Sequence, residues 1–128
     1  LEERYLDDAE VVVVAYGISA RTSLWPIEQA RRQNIRVGFL RLVTVWPFPE
    51  ARIASLARRI RAFVVPEINM GQIVREVERC AAGRAHVIGV HRPGGDILDA
   101  QEVLDAIRRA AGCPASSRRA PPDRSAQR

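Results

Sequence analysis

The chain has 128 residues, of which 47% are hydrophobic and 27% charged. That is long enough to bury a core without a metal or disulfide staple, and it is the composition of a soluble globular domain. The formal net charge of +5 does not read as a nucleic-acid footprint, because the four arginines and one aspartate of residues 112–128 supply +3 of it, with no aromatic residues between them for stacking on bases.

The first element in chain order is EVVVVAY, Glu10 to Tyr16. A continuous β-branched run of this kind predicts a strand buried on both faces, as in a parallel sheet. Gly17, Ser19 and Ala20 follow as a small-residue turn, and then a helix with Ile27, Ala30 and Arg31 in its body and Asn34 near its end. Proline is poorly tolerated deep inside a helix, so Pro26 is expected in the first turn, with Thr22 or Ser23 capping, or else at a kink.

Ile35 to Val45 is the next expected strand, ended by the two prolines of WPFPE, Trp46 to Glu50. A helix over about Pro49 to Arg59 places Ile53, Leu56, Ala57 and Ile60 on one face. Ala62 to Glu67 reads as a strand. The helix from Gly71 to Ala82 carries Ile73, Val74, Val77 and Cys80 as its stripe, with Gly83 ending it. His86 to Val90 is the fourth long strand. Asp99 opens the last helix with Glu102 in a capping-box pattern, and Val103, Leu104, Ile107 and Ala111 face inward. Arg4 to Leu6 is a candidate short edge strand.

Alternating strands and helices predict an α/β fold, a three-layer α/β/α sandwich. The expected organisation is one domain over residues 1–111 and a basic, solvated, disordered tail over 112–128. The chain opens on the polar, acidic LEERYLDD, which is not signal-peptide-like, and on Leu1 rather than methionine, which suggests a piece excised from something longer. No apolar run approaches the ~18 residues of a membrane span, so neither a membrane nor a nucleic acid is an expected partner. Cys80 and Cys113 stand in no metal-ligand pattern. A reducing, cytoplasmic setting fits them, with Cys80 a small core residue.

Ligands of open α/β sheets gather at the carboxyl ends of the strands. Four loops leave those ends: Gly17–Thr22, Val45–Glu50, Glu67–Gly71 and His91–Asp96. Gly17, Ser19, Arg21 and Thr22 at a helix start are candidates for an anion site, or simply a glycine turn into a capped helix. The loop matches neither the dinucleotide fingerprint nor the P-loop. Trp46, Pro47, Phe48 and Pro49 either display two rigid aromatics to a partner or cover a helix end. Asn69, Met70, Gly71, Gln72 and Arg75 are turn chemistry or an interface, with Glu67 favoured near the positive helix end. His91 and Asp96 come without a nucleophile. No catalytic residue and no metal ligand is assigned.

Four strings, VAYGISAR, VGFLRLVTVWPFPE, VVPEINMGQIVREVE and RPGGDILDAQEVLDAI, occur in this order. Together they resemble the C-terminal domain of the α subunit of 2-oxoacid:ferredoxin oxidoreductases, of the 2-oxoglutarate synthase type, over about Ala9 to Ile107. Ile68 departs from the family's frequent methionine. The resemblance implies a transketolase C-terminal-like fold with a five-stranded, mostly parallel sheet and one antiparallel strand, for which Arg4 to Leu6 is the candidate. It implies a parent enzyme that uses thiamine diphosphate with magnesium, iron–sulfur clusters and coenzyme A to convert a 2-oxoacid to an acyl-CoA, with electrons going to ferredoxin. None of those cofactors is expected in this fragment. Its implied role is structural: to meet the other domains and the β subunit through Trp46–Pro49 and Asn69–Gln72. A transketolase or a 2-oxoacid dehydrogenase E1 β subunit is the alternative parent. A stand-alone anion- or nucleotide-binding module is the alternative of another class.

Overall fold

The computed structural model describes residues 1–67, 72–90 and 99–113. In chain order the elements are β1 (Glu2–Arg4), β2 (Val11–Tyr16), α1 (Ile18–Arg32), β3 (Val37–Leu42), α2 (Glu50–Ala57), β4 (Ala62–Pro66), α3 (Gln72–Ala81), β5 (His86–Val90) and α4 (Ala100–Ala111). They form a five-stranded sheet of order β1-β3-β2-β4-β5. β2, β3, β4 and β5 run parallel, and β1 pairs antiparallel to β3 through Glu2–Arg41, Glu3–Leu40 and Arg4–Phe39. The mostly parallel α/β/α sandwich expected from the sequence is the fold. The antiparallel edge strand falls at Glu2–Arg4, two residues ahead of its expected place.

The unbroken valine run works as a strand buried on both sides. Val12 and Val14 enter one core with Leu40, Phe63 and Val65, under α2 and α3. Val11, Val13 and Ala15 enter the other with Phe39, Val64 and the inner faces of α1 and α4. Side chains alternate across a pleated strand, so a strand sandwiched between two helical layers must be apolar at every position. Ile53, Leu56, Ala57 and Ile60 are buried as their spacing predicts, as are Val103, Leu104 and Ile107. Val74 and Cys80 pack against the first core from a half-buried position, and burial pushes the Cys80 thiol pKa up.

Three expectations are corrected. Helix α1 begins at Ile18, not after the small residues, so Pro26 lies well inside it and on its buried face. The Thr22 and Ser23 hydroxyls do not cap; they donate to the carbonyls of Ile18 and Ser19, at 3.1 and 2.7 Å. The sheet-facing burial of Ser19, Ala20, Ser23, Ile27 and Ala30 overrides the local penalty of a proline that lacks its N–H. The strand expected over Ile35 to Val45 is confined to Val37–Leu42. Val43 has already left the ladder, and Val45 turns back to pack against the first core. Third, the aromatics of WPFPE are not both displayed, as described below.

Gly38 sets how closely the β1–β2 connection approaches the sheet. A Cβ there would sit 2.6 Å from Leu6 Cδ2 and 2.9 Å from the Tyr5 carbonyl oxygen. Only glycine lets the connection lie flat on β3. Asp99 caps α4 as expected, its carboxylate accepting from the Gln101 N–H at 2.9 Å.

Candidate functional site

The carboxyl ends of β2, β3, β4 and β5 point to one edge of the sheet. β2 pairs with β3 along its whole length, up to Tyr16–Leu42, but with β4 only from Val11–Ala62 to Val13–Val64. Beyond that the two central strands part. From β2 the chain crosses to the α1 layer and from β4 to the α3 layer. A crevice at such a reversal is where open α/β sheets hold their ligands. Pro66, which has no N–H to give to a ladder, closes β4 there.

Two helix starts flank this crevice, and they are finished differently. Gly17 holds the N-cap of α1 at φ +64°, with no side-chain cap and no acidic residue in the first turn. The space a Cβ would occupy there is open. At α3 the positive end is neutralised from the preceding strand. Glu67 is 2% exposed, and its two carboxylate oxygens accept from the Ile73 and Val74 N–H groups, both at 3.1 Å. A buried carboxylate is tolerated because two otherwise orphaned helix donors meet it.

The anion-site candidates separate in the structure. Arg21 is exposed and near the α1 start, whereas Ser19 is 3% exposed on the sheet-facing side of the helix. The Thr22 hydroxyl is committed to the Ile18 carbonyl. Only the backbone of Gly17 and Ile18, with Arg21 near it, still faces outward.

In the second loop the aromatics take opposite roles. Phe48 is 6% exposed and belongs to the core under α2, while Trp46 is 65% exposed. Their ring centroids lie 6.4 Å apart. The two readings therefore divide: Phe48 covers the helix side, against its place among the expected interface residues, and Trp46 is presented. Pro47 follows Trp46 through a cis peptide, and Pro49 is the N-cap residue of α2.

Trp46 is not alone on this edge. Tyr16 and Ile18, at the tip of β2, are 42% and 56% exposed, and Val43, just past β3, is 60% exposed. Because Tyr16 and Leu42 are register partners, these side chains emerge from adjacent strand tips. Half of the eight exposed large apolar side chains among the described residues stand here, and a grouping of that kind is a candidate contact surface. Sequence reading missed Tyr16, Ile18 and Val43. They continue apolar runs that are buried, and pattern alone does not say where a strand stops.

Gln72 and Arg75 are exposed in the first turn of α3. Asn69, Met70, Gly71, His91 and Asp96 lie outside the described residues, as does residue range 114–128 of the expected tail. Among the described residues, no group of three or more His, Cys, Asp or Glu side chains is placed to hold a metal ion, and no helix is long and apolar enough to cross a membrane. A shallow cavity of about 260 Å³, lined by Gly89, Val90, Glu102, Asp105 and Arg109, contains none of the residues expected to be functional.

Residues 9–103 match the family described as pyruvate:ferredoxin oxidoreductase core domain II. A ketoisovalerate oxidoreductase subunit VorB from Methanothermobacter thermautotrophicus is 45% identical over 111 residues, covering 87% of this chain and 31% of the relative. A 2-oxoglutarate synthase subunit KorA from Methanothermobacter marburgensis is 36% identical over 107 residues, covering 84% of this chain and 28% of the relative. The chain thus spans under a third of the length of these curated relatives. Among solved structures, the fold is similar to part of a 2-oxoglutarate:ferredoxin oxidoreductase from Magnetococcus marinus, with TM-score 0.67 at 16% identity over 80% of this chain and 18% of that one. It is also similar to a split-gene transketolase, with TM-score 0.72 at 19% identity over 86% of this chain and 41% of that one. The chain belongs to the pyruvate:ferredoxin oxidoreductase core domain II family.

Proposed function

We propose that this chain, as a core domain II, serves as a non-catalytic assembly domain of a larger 2-oxoacid:ferredoxin oxidoreductase. That enzyme would oxidatively decarboxylate a 2-oxoacid to an acyl-CoA, with thiamine diphosphate and iron–sulfur clusters in its other parts and electrons passed to ferredoxin. The observation that carries this reading is the apolar rim of Tyr16, Ile18, Val43 and Trp46 at the strand tips, in a chain of this family. A rim of this kind gains by being covered, roughly 25 cal/mol for each Å² of apolar surface removed from water.

The residues of the chain do not fit an iron–sulfur cluster. A cluster held by four thiolates needs more than Cys80 and Cys113, the two cysteines present. The buried carboxylate at the crevice, Glu67, is occupied with α3. The chemistry is therefore assigned to other domains, and the contacts to this one. Trp46 and Pro47, with Asn69, Met70, Gly71, Gln72 and Arg75, are the interface residues of this reading, joined by Tyr16, Ile18 and Val43. Phe48 and Pro49 act from below, by holding the loop on the core. Relatives named as subunits of a ketoisovalerate oxidoreductase and of a 2-oxoglutarate synthase both match most of this chain, so the substrate is proposed as a class.

The test is to replace Val43 and Trp46 with Ser in the complete enzyme. Subunit or domain assembly, followed by sedimentation, should weaken and 2-oxoacid turnover should fall with it. The same double variant of the 128-residue chain should keep its circular dichroism. Unchanged assembly and turnover would remove the rim from the interface and the reading with it.

A further inference from the structure

The β1 edge of the sheet is fastened differently from its centre. All three residues of β1 are exposed, and β1 pairs with β3 alone. In residues 1–9 only the side chains of Leu6 and Ala9 are buried. The turn that leaves β1 is strained. Tyr5 has φ +58°, left-handed backbone that a bulky residue rarely adopts and that persists where its surroundings hold it.

Arginines from the rest of the domain do the holding. Arg52 of α2 donates to both carboxylate oxygens of Glu3, at 2.8 and 3.1 Å. Arg41 of β3 stands 3.7 Å from the Glu2 carboxylate. Arg59, past α2, donates to the Leu6 carbonyl at 3.0 Å. The centre of the arrangement is Arg31, in the last turn of α1. Its Nη2 donates to Asp8 at 2.8 Å and to the Tyr5 carbonyl at 3.2 Å, and its Nη1 reaches Asp8 at 3.4 Å. Its guanidinium carbon lies 4.5 Å from the centre of the Tyr5 ring. Its Nε donates to the Val37 carbonyl at 2.9 Å, so one side chain ties the strained turn to the first residue of β3.

We propose that residues 1–9 form a strap latched by Arg31: β1 and its connection lift from β3 as a unit while the two cores stay closed, and the lifted state bares the outer edge of β3. Lifting the strap uncovers two small-to-medium apolar side chains, Leu6 and Ala9, and breaks partly solvated ion pairs. Drawing out β2 or β4 would open both cores, which meet on those strands. The strap therefore belongs to the low-stability part of the molecule and the inner strands to the global unit. Ion pairs that reach solvent are screened by salt, so ionic strength sets how often the strap opens. An edge strand that can leave is also a guard, since its departure exposes unpaired backbone groups of the next strand.

The test is native-state amide exchange of the 128-residue chain, corrected for intrinsic rates, over a series of urea concentrations below the unfolding transition. Amides of β1, and those of β3 turned toward it, should exchange roughly tenfold or more faster than those of Val12–Val14, and their exchange should barely respond to urea. Raising sodium chloride to about 1 M should speed the strap amides severalfold. Arg31→Met, which keeps the apolar stem of the side chain, should speed them roughly tenfold or more, and more than Arg52→Met does. Asp8→Asn removes one of the same contacts from the strap side and should act in the same direction, which keeps the test open if the Arg31 variant does not fold. Strap amides that share the rate and the urea dependence of Val12–Val14 would overturn the proposal, because the segment would then leave only with the whole domain. Exchange indifferent to salt, to Arg31→Met or to Asp8→Asn would overturn the latch.

Discussion

At the amino ends of β2, β3 and β4, the residue before each strand is charged: Glu10, Arg36 and Arg61. Arg36 Nε donates to Glu10 at 2.7 Å and Arg61 Nε donates to it at 2.6 Å, and Arg36 reaches the same carboxylate through Nη2. Backbone bonds from the Glu10 N–H to Arg36 O and from the Arg61 N–H to Glu10 O, both 2.7 Å, run through the same three residues. Arg61 also donates to the Cys113 carbonyl at 2.8 Å, Arg59 to the Leu6 carbonyl at 3.0 Å, and Arg31 to Asp8 at 2.8 Å. At the carboxyl ends of these strands stand Tyr16, Ile18, Val43 and Trp46, apolar and exposed. One end of the sheet is completed by the chain's own charges, while the other leaves apolar groups for something else to cover. The difference separates stability from the proposed assembly role: substitutions at the first end should destabilise the domain, and substitutions at the second should leave it folded and, on that reading, unassembled.

The exception at the carboxyl end is Glu67, and it offers the sharpest way to break the comparison. Glu67→Ala strands two helix donors in a buried place and should cost about 2–3 kcal/mol, read as a drop in urea midpoint at constant m. Glu67→Gln should recover part of that loss, since one amide oxygen can still accept. If Glu67→Ala were neutral, this carboxylate would not stabilise the start of α3. Next in size is Gly38→Ala, near the amino end, whose new methyl meets the Leu6 side chain and the Tyr5 carbonyl. Overpacking against backbone should cost about 2 kcal/mol.

Glu10→Gln is smaller, about 1 kcal/mol at neutral pH, because the pairs are partly solvated and only the network lifts them above an ordinary surface bridge. Its pH dependence has a definite sign. Hydrogen bonds from Arg36 and then Arg61 hold the Glu10 carboxyl below the usual carboxylate range. Its contribution is therefore complete above the unfolded-state pKa and is lost as pH falls through the lower folded one. The gap between parent and variant should shrink in acid, measured as urea midpoints at pH 7 and pH 3. The smallest effect on stability belongs to the Val43 and Trp46 replacement, within about 0.5 kcal/mol for the chain alone, although its effect on assembly is the largest of all.

Much of this architecture is legible in the sequence because strands buried on both faces need unbroken apolar runs and helices need a stripe. His86–Val90 and the buried positions of α2 and α4 follow from spacing alone. What stays hidden are choices made by tertiary contact. Pro26 signals a helix start, yet the buried face of α1 carries the helix past it. Trp46 and Phe48 look alike between prolines, and only packing under α2 decides which one goes in. The rim at Tyr16, Ile18 and Val43 is invisible for the same reason, since it is the exposed end of runs whose other members are core. The family resemblance suggests the loops as an interface, and the structure adds the exposed strand tips at Tyr16, Ile18 and Val43.

The alternation of valines along β2 has one more consequence. Val12 and Val13 are neighbours in the chain, yet they are anchored in opposite helical layers. The layers meet through this shared strand and its neighbours, so they are expected to unfold together as one cooperative block, and a cavity opened beneath α3 should be felt beneath α4.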